Sequence, residues 1–174
     1  MNSTSASLLG LLDASGGELT GGELVRVAQQ RIGQFWSLTR SQVYRELAAL
    51  EREQLVRPGT PGPRESRPVQ LTAAGRSAYR EWLLEHLPSD TIRIPVLLAV
   101  ALGGALEPAA LAQVLTRSRD EHRARLEEYR RLDAQLAELE GGEPWARATL
   151  SFGMNYEEAV LRWFSTLPPE VRPA

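Results

Sequence analysis

The chain has 174 residues, 43% of them hydrophobic and 24% charged, which suffices for one domain or two small ones with a hydrophobic core. Cysteine is absent, so disulfides, thiolate zinc sites and cysteine nucleophiles are excluded, and a cytoplasmic location is expected. Although the net formal charge is −2, residues 26–80 carry ten arginines against four glutamates, and residues 89–174 carry ten arginines against thirteen acidic residues. This asymmetry indicates a nucleic-acid-binding face in the N-terminal part of the chain.

The N-terminal part begins with three predicted helices. The first is expected over residues 5–14, because the glycines at positions 16 and 17 end its apolar pattern. The second runs from Thr20 to about residue 33, since Thr20 and Glu23 form a capping-box pattern. The third opens at Thr39, a second candidate N-cap, and has an apolar face at helical spacing. The expected inward residues of this third helix are Val43, Leu47, Leu50 and Leu55.

Two strands and a fourth helix follow. Residues 55–57 and 69–71 flank the Pro/Gly-rich segment PGTPGPRESRP, so they are predicted to pair as a hairpin. Thr72 is the expected cap of a helix over residues 73–87. The order helix, helix, helix, two-stranded wing, helix is that of a winged helix-turn-helix, and residues 1–88 are therefore predicted to be a DNA-binding domain.

Beyond residue 88 the sequence predicts helices alone, over residues 95–106, 108–140 and 144–167. The most apolar stretch, residues 92–106, is shorter than the ~20 residues that a membrane span needs, so a buried helix and no membrane contact are expected. The predicted fold class is mainly α with a small two-stranded β wing. Residues 89–174 are predicted to be a helical dimerisation domain.

Several segments resemble a known family of regulators. LLGLLDASGGELTGGELVRVAQQRIG, LTRSQVYRELAALEREQLV and RPVQLTAAGRSAY resemble the N-terminal domain of PadR-type transcriptional regulators. ATLSFGMNYEEAVLRWF resembles the final helix of the longer, virulence-activator-like branch of that family. Together these segments cover most of the chain and imply a DNA-binding regulator. The sequence departs from the family pattern at Gln54, where glycine is usual, and at residues 67–70, where RPVQ replaces a common arginine–lysine–tyrosine ending.

The exposed start of the third helix suits a recognition helix in the major groove. Arginine pairs bidentately with guanine and glutamine with adenine, and the neighbouring polar groups suit bases or phosphates. The alternative is an ordinary solvated helix face. Tyr44 either donates to a phosphate or belongs to the core, and the wing arginines either grip DNA or belong to a merely soluble loop. The predicted DNA-binding residues are Thr39, Arg40, Ser41, Gln42, Tyr44, Arg45, Arg57, Arg64 and Arg67.

The two long C-terminal helices carry apolar stripes that need a partner. The helix over residues 108–140 would span about 50 Å and has a heptad-like seam. The helix over residues 144–167 has a stripe at 4-3-4-4-3-4 spacing, from Trp145 to Leu167. A second subunit is the expected partner, and an intrachain hairpin of the two helices is the alternative. The predicted dimerisation residues are Leu115, His122, Tyr129, Leu132, Leu136, Leu139, Phe152, Tyr156, Val160 and Trp163.

Aromatic residues on the same helices suggest an effector pocket. Some members of the resembled family bind planar aromatic molecules between their subunits, so Tyr129, Trp145 and Trp163 are candidate effector-binding residues here. Aromatic stripes are also typical of plain core, which is the alternative.

Enzyme chemistry has no support in the sequence. The two histidines, His86 and His122, are not spaced as metal ligands, and no HExxH, phosphate-loop or Gly-x-Ser-x-Gly motif occurs, so no catalytic residue, metal or cofactor is expected. The sequence predicts a homodimeric, sequence-specific transcriptional regulator that represses by binding operator DNA, with a small planar aromatic effector as a candidate ligand. A winged-helix module used only for protein–protein contact is the alternative.

Overall fold

The computed structural model describes residues 1–60, 67–85, 93–139 and 143–173. The chain divides into two compact units, Met1–Asp90 and Thr91–Ala174. The elements of the first unit are α1 (Ser3–Ala14), β1 (Glu18–Thr20), α2 (Gly21–Arg31), α3 (Arg40–Arg52), β2 (Val56–Pro58), β3 (Pro68–Leu71) and α4 (Ala73–Glu85).

The first three helices pack around one hydrophobic core. The residues at its centre are leucines and valines that recur at helical spacing, so each helix buries a single apolar face. The predicted N-cap of α2 is confirmed: the Thr20 hydroxyl accepts from the Glu23 N–H, and the Glu23 carboxylate accepts from the Thr20 N–H. The main buried residues of this core are Leu8, Leu9, Leu12, Leu24, Ala28, Val43, Leu47, Leu50 and Val56.

The wing is a three-stranded antiparallel sheet rather than the predicted two-stranded hairpin. The pairing of β2 with β3 is confirmed, with Arg57 opposite Gln70. In addition, β1 pairs with the other edge of β3, which gives the order β1-β3-β2. The prediction missed β1 because a three-residue strand shows no periodicity and its partner lies about fifty residues further along the chain.

A threonine and a glycine join the end of α3 to the start of α4. The Thr72 hydroxyl donates to the backbone oxygen of Gln54 or Leu55, at 2.9 and 3.0 Å, and accepts from the Gly75 N–H at 3.0 Å. Gly75 lies against the backbone oxygen of Leu55 so closely that a Cβ atom there would clash with it. Position 75, at the start of α4, therefore requires glycine, because this close approach leaves no room for a side chain.

The described residues of the second unit form helices and one short 3-10 turn. Its elements are α5 (Pro95–Ala101), a 3-10 turn (Gly103–Ala105), α6 (Pro108–Ala137) and α7 (Pro144–Phe164). The single helix predicted over residues 95–106 is thus wrong in its second half. α5 ends before Gly103, where a Cβ atom would lie 2.7 Å from Cδ2 of Leu111, so the glycine lets this turn pack against α6.

α6 and α7 form an antiparallel hairpin with its own core. The predicted helices over residues 108–140 and 144–167 are confirmed, although both end slightly earlier in the structure. No helix within the described ranges is long and apolar enough to cross a membrane. The buried residues that hold the hairpin and α5 together are Val96, Leu111, Leu115, Val160, Phe164 and Leu167.

Candidate nucleic-acid interface

The start of α3 presents a polar face opposite its apolar one. Val43, Leu47 and Leu50 are buried in the core of the first unit. Because side chains one or two positions away from them point elsewhere on the helix, most of the remaining residues of the first two turns face solvent. The exposed residues of the predicted DNA-binding set in this segment are Thr39, Arg40, Ser41, Tyr44 and Arg45.

Gln42 does not share this freedom, because it belongs to a capping box. Its Oε1 atom accepts from the Thr39 N–H at 2.8 Å and from the Thr39 hydroxyl at 2.9 Å. In return the Thr39 hydroxyl accepts from the Gln42 N–H at 3.2 Å. Gln42, which was predicted to pair with adenine, therefore also caps the N-terminus of α3. This role was not predicted, although Thr-x-x-Gln is a recognised capping pattern.

Tyr44 links α3 to the start of α2. A Cβ atom at Gly21 would lie 2.7 Å from the Tyr44 ring, so the ring packs on the backbone of α2 where a side chain is absent. The Arg40 guanidinium lies 5.5 Å from the centre of the same ring, within the range of a cation–π contact. Tyr44 nevertheless remains 44% exposed.

The sheet holds one of the predicted wing arginines in place. The Nε atom of Arg57 donates to Oε1 of Gln70 at 2.8 Å across the β2–β3 pair. Arg67 is exposed just before β3, and Arg64 lies outside the described residues. The role of Gln70 was missed by the sequence analysis, because only the strand register brings it opposite Arg57.

A glutamate on α3 fixes the angle of this helix against α1. The Glu46 carboxylate accepts from the Asn2 side-chain amide at 3.0 Å and from the Ser5 hydroxyl at 2.8 Å. The hydrogen bond from Asn2, followed by that from Ser5, lowers the pKa of Glu46 below its ordinary value, because both favour the charged carboxylate. The polar face of α3 is therefore anchored by the N-terminal residues of the chain.

In the second unit, much of the predicted dimerisation seam is occupied by the chain's own α7. Leu115 packs with Val160 and Phe164, so Leu115 and Val160 are core residues of the hairpin. A Cβ atom at Gly153 would lie 2.8 Å from the buried Tyr129 ring, which shows how closely α7 approaches α6 there. The intrachain hairpin that stood as the alternative is the arrangement observed for these residues.

Polar contacts reinforce the hairpin. Glu157 is 2% exposed and binds two residues of α6: its carboxylate contacts Nδ1 of His122 and lies 3.2 Å from Nη1 of Arg125. Nearer the loop, the Asp133 carboxylate pairs with Arg147 at 2.8 Å, which lowers the pKa of Asp133 through the hydrogen bond. His122 is therefore a partner of Glu157 within the chain, not an apolar seam residue as predicted.

The remaining predicted dimerisation residues differ in exposure. Leu132, Leu136 and Trp163 are half-buried. Three others are exposed, with Phe152 the most accessible at 75%. These exposed residues are Leu139, Phe152 and Tyr156, and Trp145 continues their stripe towards the start of α7.

The three candidate effector-binding aromatics do not meet within one chain. Tyr129 lies opposite Gly153, whereas Trp145 and Trp163 lie eight and ten residues away from Gly153 in opposite directions. At 1.5 Å per residue these intervals are about 12 and 15 Å along α7. Trp163 packs on Phe164 with ring centres 4.9 Å apart, and Trp145 is 85% exposed.

A different set of residues lines a small, partly open cavity in this unit. Its volume is about 250 Å³, below the usual range for drug-sized ligands and suited to a single-ring molecule. It lies between the start of α5, the middle of α6 and Tyr156 of α7, and its walls are apolar, cationic and, at Glu121, acidic. Its lining residues include Arg93, Ile94, Val96, His122, Arg125 and Tyr156.

The three core helices and the wing of the first unit define a winged helix-turn-helix domain. The second unit matches the family model described as Virulence activator alpha C-term over residues 92–167. The chain is 30% identical over 161 residues to the Probable transcriptional regulator Rv1176c of Mycobacterium tuberculosis, a match covering 83% of this chain and 85% of that protein. It is 35% identical over 85 residues to the Negative transcriptional regulator PadR of Bacillus subtilis, and that match spans 47% of this chain and 46% of PadR.

Solved structures agree with these sequence matches. The crystal structure of Bacillus subtilis PadR in complex with operator DNA matches with a TM-score of 0.80 and 25% identity, covering 95% of this chain and 96% of that one. The complex of the same protein with p-coumaric acid matches with a TM-score of 0.72 and 22% identity, over 95% of each chain. The chain belongs to the PadR family of DNA-binding transcriptional regulators, and it is not an enzyme.

Proposed function

We propose that the chain binds operator sites in double-stranded DNA as a homodimer and represses transcription. The observation that carries the proposal is the exposed, cationic surface of the first turn and a half of α3. The opposite, apolar face of this helix is buried in the core, and a capping box fixes where the helix begins. A helix of this kind enters the major groove with its N-terminal side chains on base edges. Support comes from the relative named as a negative regulator and from its structure with operator DNA. Such a protein works in the cytoplasm, where bacterial DNA lies.

In this proposal the residues of the first unit divide by task. Arg40 and Arg45 on α3 contact bases or the adjacent phosphates, because both guanidinium groups are exposed. Tyr44 donates its hydroxyl to a phosphate while its ring stays on Gly21. Arg57, positioned by Gln70, and Arg67 contact the backbone or the minor groove from the wing, as Arg64 is also proposed to do.

The homodimer is proposed to use the exposed side of the α6–α7 hairpin. Residues buried inside the hairpin already have partners, whereas the stripe of Trp145, Phe152 and Tyr156 offers large aromatic groups to solvent. Exposed aromatic residues of this size are typical of protein interfaces. A second copy of the chain is the partner that the two-fold symmetry of most bacterial operators favours.

A small planar aromatic effector is proposed to control the operator affinity. Bacillus subtilis PadR has been solved with p-coumaric acid, which has one ring and one carboxylate. In this chain the 250 Å³ cavity has matching walls: Ile94 and Tyr156 for a ring, and Arg93 for a carboxylate. We therefore favour this cavity as the effector site over Tyr129, Trp145 and Trp163, the residues predicted from the sequence.

The DNA-binding proposal is tested by operator selection and salt titration. Purified protein should retain specific fragments of sheared genomic DNA, and log K should fall with log salt by about 0.9 for each phosphate contact. Arg40→Ala should lower specific affinity by ~1–3 kcal/mol. Arg162→Ala, which removes an exposed arginine of the second unit, serves as the matched control and should leave affinity unchanged. Binding without salt dependence or sequence preference would favour the alternative, a module for protein–protein contact.

The effector proposal has its own test. p-Coumaric acid and related planar acids should weaken operator binding by a coupling free energy of ~1–3 kcal/mol. Arg93→Ala, which removes the proposed carboxylate partner and lies outside the proposed dimer stripe, should reduce this response without changing operator affinity in the absence of ligand. If calorimetry finds that the protein binds the acid equally tightly with and without operator DNA, the ligand binds but does not regulate operator affinity.

A further inference from the structure

The capping box at the start of α3 limits what Gln42 is able to recognise. A glutamine side chain has two acceptor sites on Oε1 and two donors on Nε2. The atom that receives the Thr39 N–H has to be oxygen, because an amide nitrogen does not accept a hydrogen bond. Both acceptor sites are therefore occupied, by the Thr39 N–H at 2.8 Å and the Thr39 hydroxyl at 2.9 Å. The Nε2 group donates to no other group in the described part of the chain.

This arrangement rules out the usual pairing of glutamine with adenine. In that pairing the amide oxygen accepts from the adenine N6 amino group while the amide nitrogen donates to N7. Gln42 can offer only the second half of this pair unless the cap breaks. Guanine in the major groove presents acceptors at N7 and O6, and thymine presents one at O4, so both suit a residue that only donates.

The neighbouring side chains have the same bias. Arginine has donors and no acceptor, so Arg40 and Arg45 also form hydrogen bonds only with acceptor groups on the bases or phosphates. The Thr39 hydroxyl has its hydrogen on Gln42 and its lone pairs facing the Gln42 N–H and the Ser41 hydroxyl, which lies 3.1 Å away. Apart from the Tyr44 hydroxyl, the Ser41 hydroxyl is thus the one side-chain group among the predicted DNA-binding residues of this segment that keeps an unused acceptor.

We propose that Gln42 is a specificity residue that acts only as a donor, selecting guanine or thymine at one operator position and discriminating against adenine read through its amino group. The proposal rests on the proposed function, because it requires α3 to enter the major groove. It differs from an ordinary glutamine contact in a measurable way: the preferred base is set by the cap, not by the glutamine alone.

The decisive variant is Gln42→Glu, because α2 of the same chain already contains the corresponding box with glutamate. There Oε2 of Glu23 accepts from the Thr20 N–H and hydroxyl, each at 2.8 Å, and the Glu23 N–H donates to the Thr20 hydroxyl at 3.2 Å. Gln42→Glu therefore keeps the cap and removes the Nε2 donor. Glu23→Gln, which makes the reciprocal change at a residue outside the proposed DNA contacts, is the matched control.

The experiment is a selection of binding sites from random DNA with the full-length wild type and both variants. We expect the wild type to prefer guanine or thymine at one position by about tenfold, the size of a good base contact. Gln42→Glu should lose that preference, and gain tolerance of cytosine, whose N4 amino group donates. Its thermal midpoint should stay at or above that of the wild type, and Glu23→Gln should select the wild-type site.

The outcomes separate this proposal from the proposed function. An adenine preference in the wild type that Gln42→Glu abolishes would overturn the donor-only assignment. A uniform loss of affinity for all sequences in Gln42→Glu, with no change in base preference, would also overturn it and leave Gln42 as a cap near the phosphates. If the wild type selects no sequence at all, the proposed function itself fails.

Discussion

At the scale of single residues, the turn between α3 and β2 adopts a backbone conformation that favours glycine. Gln54 has φ of 58°, in the left-handed region, and the turn is closed by the Leu55 N–H donating to the Leu50 oxygen at 2.9 Å. The resemblance to the family predicts glycine at this position, and the structure keeps the glycine conformation with a glutamine in it. A left-handed conformation strains a residue that has a Cβ atom.

Gln54→Gly is therefore expected to stabilise the first unit. Relief of the backbone strain stabilises the folded chain, whereas the greater conformational entropy of glycine stabilises the unfolded chain. The first effect is somewhat the larger, so the free energy of unfolding is expected to rise by about 1 kcal/mol. Glu53→Gly is the matched control, because Glu53 has φ of −83° and should lose stability as ordinary residues do. Denaturant titration of both variants measures the effect, and equal destabilisation by both would show that Gln54 is not strained.

Glu46 gives the first unit a dependence of stability on pH. Its pKa is lowered in the folded chain by the Asn2 and Ser5 hydrogen bonds, so its contribution is present above the pKa of the unfolded state and is lost as the pH falls through the folded pKa. Glu46→Gln should be less stable than the wild type near neutral pH, and the difference should shrink as the pH falls below about 4. Thermal melts across this range test the expectation, with Glu51→Gln on the exposed side of α3 as control. A constant difference would contradict it.

At the scale of elements, local patterns in the sequence predicted the helices well but not their partners. The caps at Thr20 and Thr39 and the hydrophobic spacing of α3 follow from residues close in sequence, so their positions were predictable. Pairing of β1 with β3, and of Arg57 with Gln70, depends on strand register, which no local pattern reports. The seam on α6 was recognised, yet its partner is α7 of the same chain, because an apolar stripe does not specify which surface covers it.

The α6–α7 hairpin yields a prediction at Gly153. Alanine in place of glycine within a helix usually stabilises by about 1 kcal/mol. Here the added Cβ atom would lie 2.8 Å from the buried Tyr129 ring, and such overpacking costs about 1–3 kcal/mol, so Gly153→Ala should destabilise the hairpin or leave it unchanged. Ala159→Gly is the control: Ala159 lies on the exposed side of α7, so this variant measures only the difference in helix propensity between alanine and glycine. Hydrogen exchange of α6 and α7 amides measures both, and slower exchange in Gly153→Ala would contradict the close contact.

At the scale of the whole molecule, one winged helix offers a single recognition helix, whereas a symmetric operator presents two half-sites. Half-sites lie about one helical turn, ~34 Å, or a multiple apart, so a dimer has to fix the distance between its two α3 helices. Tethering two domains also makes the second contact intramolecular, which raises the overall affinity. The operator affinity of this chain should therefore depend on whatever surface joins two copies.

The proposed joining surface is the exposed aromatic stripe of α7, and its loss should separate the subunits. The double variant Trp145→Ser, Phe152→Ser removes two large side chains that are 85% and 75% exposed, so the fold of one chain should survive while the dimer does not. Phe35→Ser, which removes a 59% exposed aromatic residue from the first unit, is the matched control and should remain dimeric. Light scattering reports the mass, and gel-shift titration should show weaker operator binding by the double variant with the same base preference. A double variant that is still dimeric would move the interface to another surface, with α1 the next to test.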